Sequence, residues 1–374
     1  MKNNQLIQYE DGLINRVGNA ISITNKLLAD TEPLLIPYRK NDKWGFCTPD
    51  KKIVIDCIYD DVAPFSEGLA KVKLNYKFGL INTTEKFIIP CKYNFISSFS
   101  EGLVSVYDGE KDGYYDKNGN LIVPFQEYDG YDFIDGLAKV GITTSLPNAF
   151  PYYENYGFID KKGDLIIPIV YSFANNFEEG LSCVKFNEKF GHIDKNQNII
   201  IPFNYMYSEG FSEGLALVFL ENIKYGFINK KDELIIPLIY DNALSFSDEL
   251  ACVKLNRKWG FIDINNNISI PFIYDHALSF SNGFARVKMG EKYSFINKKG
   301  DLLVSFIYDD SNSFTNNVAK VKLKNKWGII NCSGNIIVNC IYDEILEISK
   351  NLARVRNNGK EGYINFDGVE YWEN

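Results

Sequence analysis

One short motif is met ten times in this chain, and its spacing constrains the fold more than any other feature. Lys43-Trp44-Gly45-Phe46, Lys77-Phe78-Gly79-Leu80, Tyr156-Gly157-Phe158-Ile159, Lys189-Phe190-Gly191-His192, Tyr225-Gly226-Phe227-Ile228, Lys258-Trp259-Gly260-Phe261 and Lys326-Trp327-Gly328-Ile329 are its clear copies. Looser copies stand at Asp112-Gly113-Tyr114, Tyr293-Ser294-Phe295 and Glu361-Gly362-Tyr363. From each central residue to the next the interval is 34, 34, 44, 34, 35, 34, 34, 34 and 34 residues. A unit of this size cannot bury its own faces, so stacking on neighbours must supply the core. The single long interval marks an insertion between Val140 and Tyr156.

Three more landmarks keep the same phase. The first is a proline after an apolar pair, as at Pro90, Pro168, Pro202, Pro237 and Pro271. A tyrosine followed by an acid comes next, as in Tyr59-Asp60, Tyr240-Asp241, Tyr274-Asp275, Tyr308-Asp309 and Tyr342-Asp343. The third is Phe65-Ser66-Glu67-Gly68-Leu69-Ala70, repeated as Phe211-Ser212-Glu213-Gly214-Leu215-Ala216. Each unit reads as three short antiparallel strands. Leu69 to Leu74 alternates, with Ala70, Val72 and Leu74 on one face and Lys71 and Lys73 on the other. In Lys258 to Asp263, Trp259 and Phe261 share a face, and Gly260 leaves the opposite face open to close approach. Leu165-Ile166-Ile167 is apolar on both faces, which predicts a strand buried between layers and ended by Pro168.

The pattern resembles the WG-repeat family, bacterial tandem β-repeats named for the Trp-Gly pair, from about Leu34 to the C-terminus. The resemblance implies architecture and no single activity. The expectation is an all-β tandem array of about ten three-stranded units of ~34 residues, forming an open, twisted, solenoid-like superhelix. The alternative is a closed, propeller-like ring completed by a strand exchanged between the termini, for which Leu34-Leu35-Ile36-Pro37-Tyr38 is the one candidate. Residues 1–33 lack the motif and read as an N-terminal cap; 34–374 form the array, with the hairpin insertion at about 143–154.

Composition narrows the function. Forty Lys+Arg against 48 Asp+Glu give a net charge of −8, which disfavours wrapping of duplex nucleic acid by phosphate neutralisation. No apolar run approaches the length of a membrane span, and seven cysteines without paired CxxC spacing fit a reducing, cytoplasmic setting. His192 stands where other units carry Phe158, Phe227 and Phe261, so a packed imidazole is expected. Cys57, Cys91 and Cys340 share the slot of Phe203, Phe272 and Phe306 and read as small hydrophobes. No metal ligand set, no cofactor motif and no nucleophile elbow is found, and an enzyme is not expected. Glu67, Glu101, Asp135, Glu179, Glu213 and Asp248 recur at one phase, as turn-capping acids would rather than as a catalytic pair.

Two features depart from plain architecture. Lys71, Lys139, Arg286, Lys320 and Arg354 share one repeat position, and Lys73, Lys185, Lys254, Lys288, Lys322 and Arg356 share the position two further on. Stacked, they form a basic ladder on the outward side of an acidic protein, either a solubilising face paired with the loop acids or a groove for an anionic partner. The insertion carries Leu146, Phe150, Tyr152 and Tyr153 together with Pro147 and Pro151, the composition of a docking loop. The reading is a non-enzymatic scaffold that binds another macromolecule, a protein above all. Its alternatives are an inhibitor covering the nucleic-acid channel of a nuclease and a carbohydrate-binding repeat protein.

Overall fold

The computed structural model describes residues 34–144, 153–220 and 224–373. Its elements follow the repeat. In Leu69–Leu74 the alternation buries Ala70 and Val72 and leaves Lys71 and Lys73 half-buried. Asn75 and Tyr76 take φ of 50° and 63°, a tight hairpin turn, and Lys77–Asn82 returns antiparallel with Gly79 opposite Val72. Phe87–Tyr93 adds the third strand. A fourth strand precedes these three: Asp61–Val62 pairs with Lys73 and Val72 along the other edge of Leu69–Leu74. Two residues are too few for any period to show in sequence, which is why three strands were expected. The order in the sheet is lead, first, second, third.

Ten sheets lie among the described residues, at 36–59, 61–93, 95–126, 129–171, 173–205, 207–240, 242–274, 276–297, 310–342 and 344–371, eight of four strands and the first and eighth of three. We call them blades 1 to 10; each holds one copy of the motif in its second strand. The chain does not form the open superhelix expected from sequence. It closes into a ring, a ten-bladed β-propeller. Glu370–Tyr371 supplies the strand after Tyr363 that the last unit was expected to lack. Trp372 then bridges Arg39 of Ile36–Lys40, and the Glu373 N–H donates to the Arg39 carbonyl at 2.9 Å. The Trp44 and Tyr363 rings meet edge-on at 5.7 Å, and Leu352, Tyr363 and Tyr371 share one buried cluster with Ile36, Tyr38 and Trp44. Closure wins because it buries the two raw end faces that an open array would leave in water.

Arg354 of blade 10 reaches Asp61 of blade 2 at 2.9 Å, past blade 1. Blades that are not neighbours can touch only where they converge, so the lead strands lie towards the axis and the third strands at the rim. The rim position corrects a second expectation: Leu165 and Ile166 are 52% and 43% exposed, and only Ile167 is buried. An edge strand at the rim has one neighbour, not two layers. Pro90, Pro124, Pro168, Pro202, Pro237 and Pro271 are exposed there and blunt the edge against further pairing.

Between blades the landmarks find their uses. The ring that follows the motif glycine packs edge-on against the phenylalanine of the next blade's Phe-Ser-Glu-Gly: Phe158 with Phe177 at 4.9 Å, Phe227 with Phe246 at 5.0 Å, Phe261 with Phe280 at 4.9 Å. His192 makes the same contact with Phe211, at 4.9 Å. The glycine itself answers to the third strand, because a Cβ on Gly260 would lie 2.8 Å from the Ile270 carbonyl oxygen and the Phe272 ring. Half-buried Cys91 and Cys340 hold the Phe272 place against Gly79 and Gly328. Blade 8 carries Ser294 instead, and its third strand is reduced to bridges at Leu302 and Tyr308.

Candidate partner-binding face

The ring has two faces. On one lie the lead-to-first turns, where Glu101, Glu179, Glu213 and Asp248 take φ of 50–55°. Their carboxylates accept from the N–H groups of Gly136, Gly214, Glu249 and Gly283 in the next blade at 2.8–3.1 Å. Lys161, Lys195 and Lys230 add ion pairs to Glu101, Asp135 and Glu179 at 3.0, 2.8 and 3.0 Å. The recurrent acids are thus engaged in joining turn to turn.

On the other face lie the first-to-second hairpins, and here the acid of each Tyr-acid landmark clamps the blade before it. Lys43–Asp60, Lys258–Asp275, Lys292–Asp309 and Lys326–Asp343 pair at 2.5–2.6 Å, and Lys224 pairs with Asp241. The second carboxylate oxygen accepts a hairpin N–H, as from Gly290 to Asp275 at 2.7 Å. These lysine bonds hold the Asp241, Asp275, Asp309 and Asp343 carboxyls below their ordinary range.

The ladder bases lie between blades, half-buried, rather than on an outward sheet face. At the first position Lys71, Lys139 and Lys320 donate to the carbonyl oxygens of Ile96, Ala174 and Ile345 on the next lead strand at 3.1, 3.3 and 3.0 Å. Arg286 bonds Ser311 and Asp310 there, at 3.0 and 2.8 Å. At the second position Lys73, Lys254, Lys288 and Lys322 sit 4.9, 5.8, 5.4 and 5.7 Å from the rings of Phe78, Trp259, Tyr293 and Trp327, their cross-strand partners. In blade 10 Glu361 replaces the ring, and Arg354 and Arg356 grip it at 2.8 and 2.6 Å. Their partners are therefore carbonyls, rings and polar or acidic residues of the lead strands and hairpins, Asp61, Asp310, Glu344 and Glu361 among them, not the recurrent turn acids.

The axis side of the hairpin face divides into two arcs. The first lead-strand residue is Asp61 in blade 2 and Asn242, His276, Asp310 and Glu344 in blades 7 to 10. In blades 3, 5 and 6 it is Phe95, Phe173 and Tyr207, which are 50%, 37% and 38% exposed. Blade 4 has a bulge after Gly130, and Tyr131, 39% exposed, takes the role two residues later. Register fixes their height: Phe95 pairs with Tyr107 and Tyr207 with Phe219, the last residues before their hairpins. Phe173, Phe190 and Tyr207 form a string at 5.5 and 5.6 Å. Sequence reasoning missed this arc, although aligning the units by the turn glycines Gly102, Gly180 and Gly214 brings Phe95, Phe173 and Tyr207 into one column.

The insertion rises from the same face and arc. In blade 4 the hairpin ladder runs two rungs past its counterparts, through Thr143↔Glu154 and Thr144↔Tyr153. Tyr153 is on that ladder; Leu146, Phe150 and Tyr152 lie outside the described residues.

Asp112, His192 and Cys183 in this arc are buried. Asp112 takes the ring's place in blade 3, where it accepts from Gly130 N–H at 3.1 Å and Ser105 Oγ at 3.4 Å. Burial, with the Asp129 charge adding to it, pushes its carboxyl up to about 6. Burial holds the His192 imidazole down at about 4 and pushes the thiol of Cys183, its cross-strand neighbour, up to about 12. At pH 7 the pair is a neutral thiol and a neutral ring, which supplies no nucleophile.

The profile of a family described as "WG containing repeat" matches residues 44–78, 78–111, 113–142, 156–190, 190–222, 225–259, 259–293, 293–327 and 327–360. Curated protein sequences give no match. Among solved structures, a crystal structure titled as the eukaryotic initiation factor is similar at TM-score 0.57 and 10% identity, covering 80% of this chain and 93% of that one. BamB from Moraxella catarrhalis gives TM-score 0.39 and 11% identity over 83% and 98%. At these identities the first likeness shows the fold alone. Nine consecutive profile matches that keep the phase of the ten blades settle the family, and the chain belongs to the WG-repeat proteins.

Proposed function

We propose that this propeller is a partner-binding scaffold whose docking surface is the hairpin face of blades 3 to 6, and that its partner is a protein. The observation that carries the reading is the arc of Phe95, Tyr131, Phe173 and Tyr207. Blades 3, 5 and 6 open their lead strands with an exposed ring and blade 4 exposes Tyr131 two residues into its own, where blades 2 and 7 to 10 begin with polar residues. Exposed rings on a rigid frame offer large contact area at small cost in side-chain entropy, and aromatic residues are enriched at the centres of protein interfaces. The hairpin of blade 4, which carries the insertion, rises from the same arc.

The test compares what the full chain retains from its native host with what two variants retain, by quantitative mass spectrometry. One variant replaces Phe95, Tyr131, Phe173 and Tyr207 by serine; the other replaces 143–154 by a two-residue turn. The reading expects a protein held by the full chain and lost at least tenfold by the serine variant at unchanged far-UV signal. Retention of every captured protein by the folded serine variant overturns the assignment of this face.

A further inference from the structure

Between the lead segments of blades 5 and 6 lies a cavity of about 420 Å³, lined among others by Phe173, Glu178, Tyr207, Glu209 and Ser245. We propose that this cavity receives a cationic side chain, an arginine above all, held between the Phe173 and Tyr207 rings and the Glu178 and Glu209 carboxylates. The proposal rests on the docking reading above and names the chemistry that the docked partner must present there.

Glu178 is the first ground. Six of its counterparts are serine, Ser66, Ser100, Ser212, Ser247, Ser281 and Ser349. Where the bond is made, that hydroxyl ties one blade to the next: Ser212, Ser247 and Ser281 donate to the carbonyl oxygens of Phe246, Phe280 and Phe314 at 2.8, 2.8 and 2.7 Å. An ionised carboxylate cannot donate, so blade 5 gives up a tie that its neighbours keep. Among the described residues Glu178 has no side-chain hydrogen bond or ion pair in return.

The second ground is the room made for it. The next blade carries Gly210 where others have Pro64, Ser98, Ser245 or Ser279, and a Cβ there would collide with the Glu178 Oε2. Local exceptions at both residues therefore meet at one point.

Glu209 supplies the orientation. The Tyr207 hydroxyl donates to its Oε1 at 2.9 Å and the Ser245 hydroxyl to its Oε2, while its main-chain carbonyl faces the buried His192 Nε2 at 2.9 Å. No lysine or arginine lines the cavity to offset the two carboxylates. Glu178 stays open to solvent, and partial desolvation together with the Glu209 charge raises its carboxyl. A guanidinium satisfies all of this: its plane stacks on an aromatic ring, and its N–H fork meets carboxylate oxygens.

The experiment titrates the full chain with N-acetyl-arginine N′-methylamide and with its citrulline counterpart, neutral and nearly isosteric, by saturation-transfer NMR and calorimetry. Arginine is expected to bind at least tenfold tighter than citrulline. Glu178→Ser, which restores the residue of the other blades and so preserves the fold, should abolish that preference. Glu209→Gln serves as a second variant should the first fail to fold. Equal binding of arginine and citrulline, or an undiminished preference in folded Glu178→Ser, overturns the proposal. If the serine variant of the arc loses its partner while arginine shows no preference, the cavity assignment alone falls. If arginine is preferred but the arc variant keeps every partner, the docking face falls and the cavity stands.

Discussion

Blades 7 to 10 and blades 3 to 6 share one core and differ on one face. In the first arc each hairpin is clamped by a lysine and an aspartate, and polar residues open the lead strands. In the second arc the clamp acid is replaced by Asn94, Ser172 or Met206, and exposed rings stand beside it. The Phe-to-Phe stacking beneath is the same, with centroids at 4.9–5.0 Å in both. In blades 3, 5 and 6 the repeat gives up the clamp aspartate at the units that open with exposed rings, while Glu127, just before blade 4, still pairs with Lys111 at 3.1 Å.

If the cores are equivalent, Phe227→Ala in blade 6 and Phe261→Ala in blade 7 should each cost about 3–5 kcal/mol. Chemical denaturation with hydrogen exchange resolved by blade measures both; a cost below about 1 kcal/mol for one of them would break the comparison at its root.

Acid should act in opposite senses on Asp112 of blade 3 and on the clamps of blades 7 to 10. Asp112 holds its proton up to about pH 6 in the folded ring and gives it up near its ordinary value when unfolded. The folded state therefore binds more protons between those limits, and stability rises as pH falls through 6. The gain is on the order of 2 kcal/mol and should vanish in Asp112→Asn. The clamps behave conversely, because their carboxyls are lowered: their contribution is complete above the ordinary aspartate range and is lost as pH falls below it. Lowering pH from 7 to 5 should tighten blade 3 at Asp112 and leave the clamps unchanged, while the lowered imidazoles of His192 and His276 weaken blades 5 and 8, and going on to pH 3 should loosen the clamps. Exchange rates corrected for pH that move together at Asp112 and at the clamps would contradict this.

The smallest effect comes from rebuilding a clamp. Met206 stands 3.0 Å from Lys189 Nζ where blades 7 to 10 have an aspartate. Met206→Asp should raise the thermal midpoint only slightly, since exposed pairs contribute little. A marked rise would show that the arc had surrendered more stability than a surface pair supplies.

The period, the hairpins and the role of each glycine were legible because they recur: ten copies average out local noise. Ring closure was not, because it depends on Trp372 and Glu373, which occur once and keep no phase with the other units. Leu34 to Tyr38 was visible as a possible closing strand, yet its partner was not. The lead strands escaped for want of length. The rim was misread at Leu165 and Ile166 because apolar residues on both faces signal burial only if both faces are covered. The ladder residues were found, but their carbonyl and ring partners belong to register and to the next blade, which no single strand reveals.

The closing contact has a kinetic consequence. Tyr38 donates its hydroxyl to Glu373 at 2.8 Å across 335 residues of sequence, whereas the Phe-to-Phe stacks join blades adjacent in sequence. Contacts between distant residues carry the greatest loop-closure entropy and form last. Until that moment the chain is an arc with two unsatisfied ends, each complementary to the other. At high protein concentration the nearest complementary end belongs to another molecule, and refolding there should yield exchanged rings built from two chains, whose fraction grows with concentration.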